Sequence, residues 1–136
     1  MSTRTVTMRY GQSGQRSDTG ERQIEIWSNA SPSSNFSAQT VTVSNAMTMY
    51  DRIRIDYKYT TSSDVRSIYV NVSDFSFSGA YTDEIGLISR PDSNGYVRRA
   101  TMASSTTVQF TTSYRLNASG NSTSYAIPVG IYGVKL

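Results

Sequence analysis

Tyr50-Asp51-Arg52-Ile53-Arg54-Ile55-Asp56-Tyr57-Lys58-Tyr59, then residues 60–64, then Val65-Arg66-Ser67-Ile68-Tyr69-Val70-Asn71-Val72-Ser73-Asp74-Phe75-Ser76-Phe77, is the stretch that decides the fold class. Ile53, Ile55, Tyr57 and Tyr59 fall on one face of an extended chain, and Arg52, Arg54, Asp56 and Lys58 on the other. Successive side chains of a strand point to opposite faces, so this alternation requires a strand with one buried and one wet face. A helix would scatter the charges through its apolar stripe. The second half places Ile68, Val70 and Val72 opposite Ser67, Tyr69 and Asn71, and the small polar residues between the halves suit a short connection. A long antiparallel hairpin is expected. After Val72 the apolar positions jump to Phe75 and Phe77, which predicts a bulge or bend near Ser73 and Asp74 where the chain leaves one sheet for another.

Outward from this hairpin the same period recurs. Upstream, Val6, Met8 and Tyr10 predict a first strand, residues 11–21 a glycine-containing loop, and residues 23–27 a strand with Ile24 and Ile26 inward. Residues 28–35 read as loop, since Pro32 excludes a central strand. Val41 and Val43 mark a short strand, and residues 45–49 a turn or a single helical turn. Downstream, residues 85–90 and 96–102 flank Pro91-Asp92-Ser93-Asn94-Gly95, whose Asn-Gly supplies the positive φ angles of a tight hairpin turn. Val108, Phe110, Thr112, Tyr114 and Leu116 then alternate with Thr107, Gln109, Thr111, Ser113 and Arg115. In the last strand, residues 125–136, both faces are apolar or small. Either it is a central sandwich strand or a neighbouring subunit covers its second face through Pro128, Gly130, Tyr132 and Val134. The expectation is a single domain over residues 1–136: an all-β, antiparallel, jelly-roll-like β-sandwich of eight or nine strands.

The 136 residues suffice for one domain that buries roughly two thirds of its unfolded surface. The sequence has no cysteine and no histidine. That removes disulfides, thiolate nucleophiles, the usual general base near neutral pH and the commonest metal ligand. No apolar run approaches the ~20 residues of a membrane-spanning helix, and the N-terminus lacks a signal-peptide core. No membrane insertion is expected, and release by lysis, as for a virion component acting outside the cell, fits. The net charge of +3 comes from interspersed groups, with Arg98-Arg99 the one basic pair, and gives no nucleic-acid footprint.

The ten acidic residues are scattered. A glycosidase needs two carboxylates facing across a cleft, and the adjacent Asp83 and Glu84 would point opposite ways in a strand. Asp92-Ser93-Asn94-Gly95 opens like a calcium loop but lacks the distal glutamate, so a hairpin turn explains it better and no metal or cofactor is expected. Ten tyrosines and Trp27 are the more informative feature. A tyrosine ring stacks on the apolar face of a sugar while its hydroxyl bonds a neighbour. Tyr81 and Tyr96, with Arg90, Asp92, Asn94 and Arg98, are the candidate carbohydrate-binding residues. The plainer reading packs these tyrosines on the sheets or at a subunit contact.

The run Ala126-Ile127-Pro128-Val129-Gly130-Ile131-Tyr132-Gly133-Val134-Lys135-Leu136 resembles the ending of many phage tail-fibre and minor structural proteins. Met49-Tyr50-Asp51-Arg52-Ile53-Arg54-Ile55 resembles the start of their tyrosine-rich strand. The resemblance implies a β-sandwich receptor-binding head, a homotrimer at a fibre tip that binds host cell-surface polysaccharide without enzymatic action. Such proteins carry a shaft or coiled coil upstream, so this chain would be an excised head or a stand-alone subunit. A purely structural virion protein (a capsid decoration or fibre-tip protein) and a small free-standing lectin are the alternatives.

Overall fold

The computed structural model describes residues 21–136. The strand expected at residues 6–10 and nearly all of the loop after it lie outside that range. The described residues form nine strands: β1 (Arg22–Ser28), β2 (Gln39–Thr42), β3 (Arg52–Thr60), β4 (Val65–Asn71), β5 (Glu84–Ser89), β6 (Tyr96–Met102), β7 (Thr107–Arg115), β8 (Asn121–Ser122) and β9 (Tyr125–Lys135). They make two antiparallel sheets, β1-β9-β3-β4 and β2-β7-β6-β5, with β8 pairing the end of β7. The protein is an all-β sandwich.

The central hairpin forms as its alternation requires. Ile55 pairs with Ile68 and Ile53 with Val70 across β3 and β4. Ile53 and Ile55 are fully buried in one core with Leu87, Met102, Val108 and Phe110 of the second sheet. After β4 a 3-10 turn, Val72–Asp74, redirects the chain. Phe75 and Phe77 meet edge to face at 5.9 Å and pack on the core as the chain crosses to the second sheet. Polar atoms also join the layers: the Tyr57 hydroxyl donates to the Ile88 carbonyl at 2.7 Å, and the Ser89 hydroxyl to the Tyr59 carbonyl at 2.7 Å.

β9 lies in the middle of the first sheet, hydrogen-bonded to β1 on one edge and β3 on the other. Ile127 and Ile131 are wholly buried. The outer face is covered from within the chain. The Arg54 guanidinium lies 3.8 Å from the centroid of the Tyr132 ring, and that ring lies over Gly130, where an added Cβ would meet it at 3.2 Å. Pro128, Gly130 and Val134 are buried and Tyr132 is half-buried. The two apolar faces of this strand therefore need no second subunit, which corrects the physical basis for placing an interface there. A Cβ at Gly133 would lie 2.4 Å from the Tyr50 ring, so only glycine lets that ring close over the strand.

Two other expectations change for identifiable reasons. In β1 a bulge between Glu25 and Trp27 breaks the alternation. Ile26 is 2% exposed and Trp27 beside it also turns inward, 5.8 Å from Phe110 and 6.2 Å from Phe36, whereas Ile24 is 42% exposed. The β5–β6 connection is a six-residue loop, since Ser89 pairs with Tyr96, and neither Asn94 nor Gly95 adopts a positive φ. Gly95 is needed for space instead: a Cβ there would sit 2.7 Å from Leu116 Cδ1.

Arg98 is fully buried. Its Nε donates to the Ala126 carbonyl at 2.8 Å, one terminal nitrogen to the Thr111 carbonyl at 2.6 Å and the other to the Tyr125 carbonyl at 3.0 Å. One side chain thus ties β6 and β7 of one sheet to β9 of the other. Arg98→Met removes the donor of all three carbonyls. A loss of about 3–5 kcal/mol, the usual penalty for removing one side of a buried charged interaction, is expected in urea unfolding. Arg98→Lys keeps the charge but lacks the planar fork, and is expected to restore only a small part of the loss. An unchanged midpoint in both variants would contradict the clasp.

Candidate functional site

The outer face of β5, β6 and β7 carries a cleft of about 500 Å³ lined by Tyr81, Glu84, Arg99, Thr111 and Tyr114. Each arrives there for a local reason. In β5, Ile85, Leu87 and Ser89 are buried, so Glu84, Gly86 and Ile88 face out. In β6, Arg98 is buried and Arg99 therefore faces out. In β7 a bulge intervenes: Ala100 pairs with Phe110 and Arg98 with Ser113, so Thr111 and Thr112 together oppose Arg99. The Arg99 amide donates to the Thr111 hydroxyl at 3.0 Å, and that hydroxyl donates to the Thr112 carbonyl at 2.7 Å. Beyond the bulge the parity reverses. Ser113 is buried, its hydroxyl bonding the Ser122 carbonyl at 2.6 Å, and Tyr114 is 40% exposed. Simple alternation would have put Tyr114 inward with Phe110.

Tyr81 is carried by a loop organised around Asp83. The buried Asp83 carboxylate accepts the Ser76 amide at 2.8 Å, the Ser78 amide at 2.9 Å, the Ala80 amide at 3.3 Å and the Ser76 hydroxyl at 2.9 Å. Positive φ values at Phe77 (56°) and Gly79 (74°) occur between these donors. The amide of Ser78, followed by that of Ser76, holds the Asp83 carboxyl far below the usual carboxylate range, against the opposing effect of burial. The anchored loop leaves Tyr81 at its edge, 88% exposed.

Within the cleft the two charged groups are loosely held. Arg99 Nε stands 4.0 Å from Glu84 Oε1, with side chains 47% and 36% exposed, and the guanidinium carbon is 5.9 Å from the Tyr114 centroid. Two exposed aromatic rings, a guanidinium, a carboxylate and a hydroxyl therefore share one shallow space. That set can stack on a planar apolar ring and exchange hydrogen bonds with hydroxyls around it.

The six residues singled out from sequence do not gather in one place. Tyr81 lines the cleft. Arg90, Asp92 and Asn94 lie on the loop at the opposite end of the β5–β6 hairpin, roughly 20 Å away along six residues of strand at ~3.4 Å each. There Asn94 Oδ1 accepts from Arg115 at 3.0 Å and Asp92 Oδ1 accepts the Asn94 amide at 2.7 Å. Tyr96 points to the other side of β6 from Arg99 and stacks on Tyr125, centroids 3.9 Å apart and planes 7° from parallel. Arg98 is the buried clasp and reaches no solvent, which corrects its placement in a binding site. Glu84, Arg99, Thr111 and Tyr114 were missed. Nothing in the sequence marks them, since a strand bulge and the pairing of distant strands bring them together. Among the described residues no cluster of three or more acidic residues could hold a metal ion. No protein-family model matches the chain, and no curated protein matches it either.

The Asp83 anchor has a pH signature. Its folded carboxyl is held well below its unfolded value, so the stabilisation is complete above about pH 5, begins to fall near pH ~4 and is lost only as the pH drops on toward the much lower folded value. Acid titration followed by amide exchange is expected to show the Ser76 and Ser78 amides losing protection over that window. Asp83→Asn should lose the protection at neutral pH and flatten the pH dependence. Equal protection in the variant would show that the carboxylate does not hold the loop.

Proposed function

We propose that this chain is a non-enzymatic carbohydrate-binding head of the phage tail-fibre kind, and that the cleft between Tyr81 and Tyr114 is its saccharide site. The observation that carries the reading is the pairing of two exposed tyrosine rings with a loosely held guanidinium and carboxylate in one cleft. Tyrosine rings cover the apolar face of a sugar at low cost in side-chain entropy, and the charged groups between them bond its hydroxyls. Glu84 is the one carboxylate among the described residues that line the cleft, and its neighbour Asp83 is enclosed by its own loop. Glycoside hydrolysis uses two facing carboxylates, so this arrangement favours binding over cleavage. The likeness of residues 126–136 and 49–55 to tail-fibre proteins supports a place on the virion. Among the described residues no helix is long and apolar enough to cross a membrane.

A glycan array and adsorption to whole host cells test the reading. Tyr81→Ala and Tyr114→Ala are each expected to weaken binding about three- to tenfold, the range for loss of one aromatic contact, with an unchanged melting temperature. Folded protein that binds neither glycans nor cells would overturn it. The trimer expectation rests on the resemblance, because β9 is covered within its own chain. Light scattering is expected to give three subunits, and a monomer would remove the fibre-tip assembly while leaving the cleft untouched.

A further inference from the structure

The groups able to hold a ligand do not stop at the cleft. On the same outer face, Val97 pairs with Ile88 on one side and with Tyr114 on the other, so these three side chains form one row across β5, β6 and β7. Ile88 is 38% exposed and Tyr114 40% exposed, an apolar shelf directly beside Arg99. In the next row Leu116 Cδ1 and the Arg90 guanidinium carbon lie within 2.7 and 3.5 Å of where a Gly95 Cβ would be. Leu116 and Arg90 therefore close over a glycine that keeps the floor low. Gly86 lowers it at the other end, where a Cβ would meet Val97 Cγ2 at 3.3 Å.

The charges on this face are uneven. Arg99 has only the distant Glu84 carboxylate, and Arg90 has no ion-pair partner among the described residues. Arg99 lies opposite Gly86, four residues before Arg90, so the backbone positions that carry the two guanidinia are roughly 14 Å apart along the hairpin at ~3.4 Å per residue. Between them lies the uncharged shelf. A guanidinium presents a planar fork that suits a carboxylate or phosphate, and a sugar ring presents an apolar face that suits Ile88, Val97 and Tyr114.

We propose that the occupant of this face is an internal segment of an acidic glycan, lying lengthwise along the β5–β6 hairpin with an anionic substituent on each of Arg99 and Arg90. The proposal rests on reading the cleft as a saccharide site and adds the charge and length of the ligand. A terminal sugar would fill the cleft and leave the shelf and Arg90 idle. A neutral chain would leave both guanidinia without their complement.

The test is an array that carries uronate-, sialate- and phosphate-bearing glycans beside neutral ones, each class at two to eight units. The acidic glycans are expected to bind, about tenfold more tightly at six units than at two, and less tightly as salt rises. Arg90→Gln, a change at an exposed position, is expected to abolish the gain with length. Neutral hits, or acidic hits whose affinity is independent of length, would overturn the acidic-chain proposal while leaving the saccharide reading in place. A gain with length that survives Arg90→Gln would also overturn it. The absence of any glycan hit would remove both.

Discussion

A fully buried cation, Arg98, clasps the two layers together. The Arg98 guanidinium lies inside the sandwich with no acidic partner among the described residues, and the carbonyls of Thr111, Tyr125 and Ala126 surround it. Burial lowers its pKa to about 10, so it remains protonated at neutral pH. Carbonyls can converge on one point only where a ladder is interrupted. Both interruptions are present: the bulge at Thr111 and Thr112 in β7, and the left-handed backbone of Ala126, φ 51°, at the start of β9. A left-handed alanine costs on the order of 1 kcal/mol, and the guanidinium that its carbonyl serves offsets that strain. The Phe36 ring, 5.2 Å from the guanidinium, adds a further favourable surface.

The clasp also determines what the outer face offers. Because Arg98 turns inward, Arg99 turns outward. Because the chain bulges to bring the Thr111 carbonyl to Arg98, the following residues change parity and Tyr114 emerges beside Arg99. The other sheet shows the opposite outcome. On its outer face Arg54 makes two bonds of 3.0 Å to Asp56, Ser67 adds another to Asp56 at 2.6 Å, and the Tyr132 hydroxyl donates to Glu25 at 3.2 Å. Arg54 also bonds Gln23 and covers the Tyr132 ring. Those polar groups satisfy one another, whereas the 4.0 Å separation of Arg99 and Glu84 leaves the guanidinium free to donate to a ligand and the carboxylate free to accept from one.

Where a strand is regular, its alternation revealed its faces. Ile53 and Ile55 in β3 and Val41 near the end of β2 are inward as their spacing demands. The failures lie at bulges. The buried Ile26 and the partly buried Trp27 both turn inward in succession, and Ser113 replaces Tyr114 on the inner face, because one extra residue reverses every side chain that follows. Alternation cannot register such an insertion, which depends on a hydrogen-bonding partner distant in sequence. For that reason Tyr81, on an exposed loop, could be singled out from sequence, and Glu84, Arg99, Thr111 and Tyr114, brought together by pairing and a bulge, could not. Gly95 misled for a related cause: its dipeptide context signals a turn, while its structural role is to admit Leu116.

The composition of β9 follows from its position. A strand flanked on both edges and lying between a core and an outer layer has no wet face, so polar residues have no place in its middle. Its glycines are the means by which it is covered. Tyr50 closes over Gly133, and Tyr132 folds back over Gly130 beneath Arg54. Aromatic rings lying across glycines exclude water from the backbone more completely than small side chains would, and the guanidinium above Tyr132 returns a charged surface to solvent. A segment apolar on both faces is thus the mark of a centre rather than of a contact. Among the described residues the sheets instead end at β1, β4, β2 and β5, the strands that carry the wetter faces.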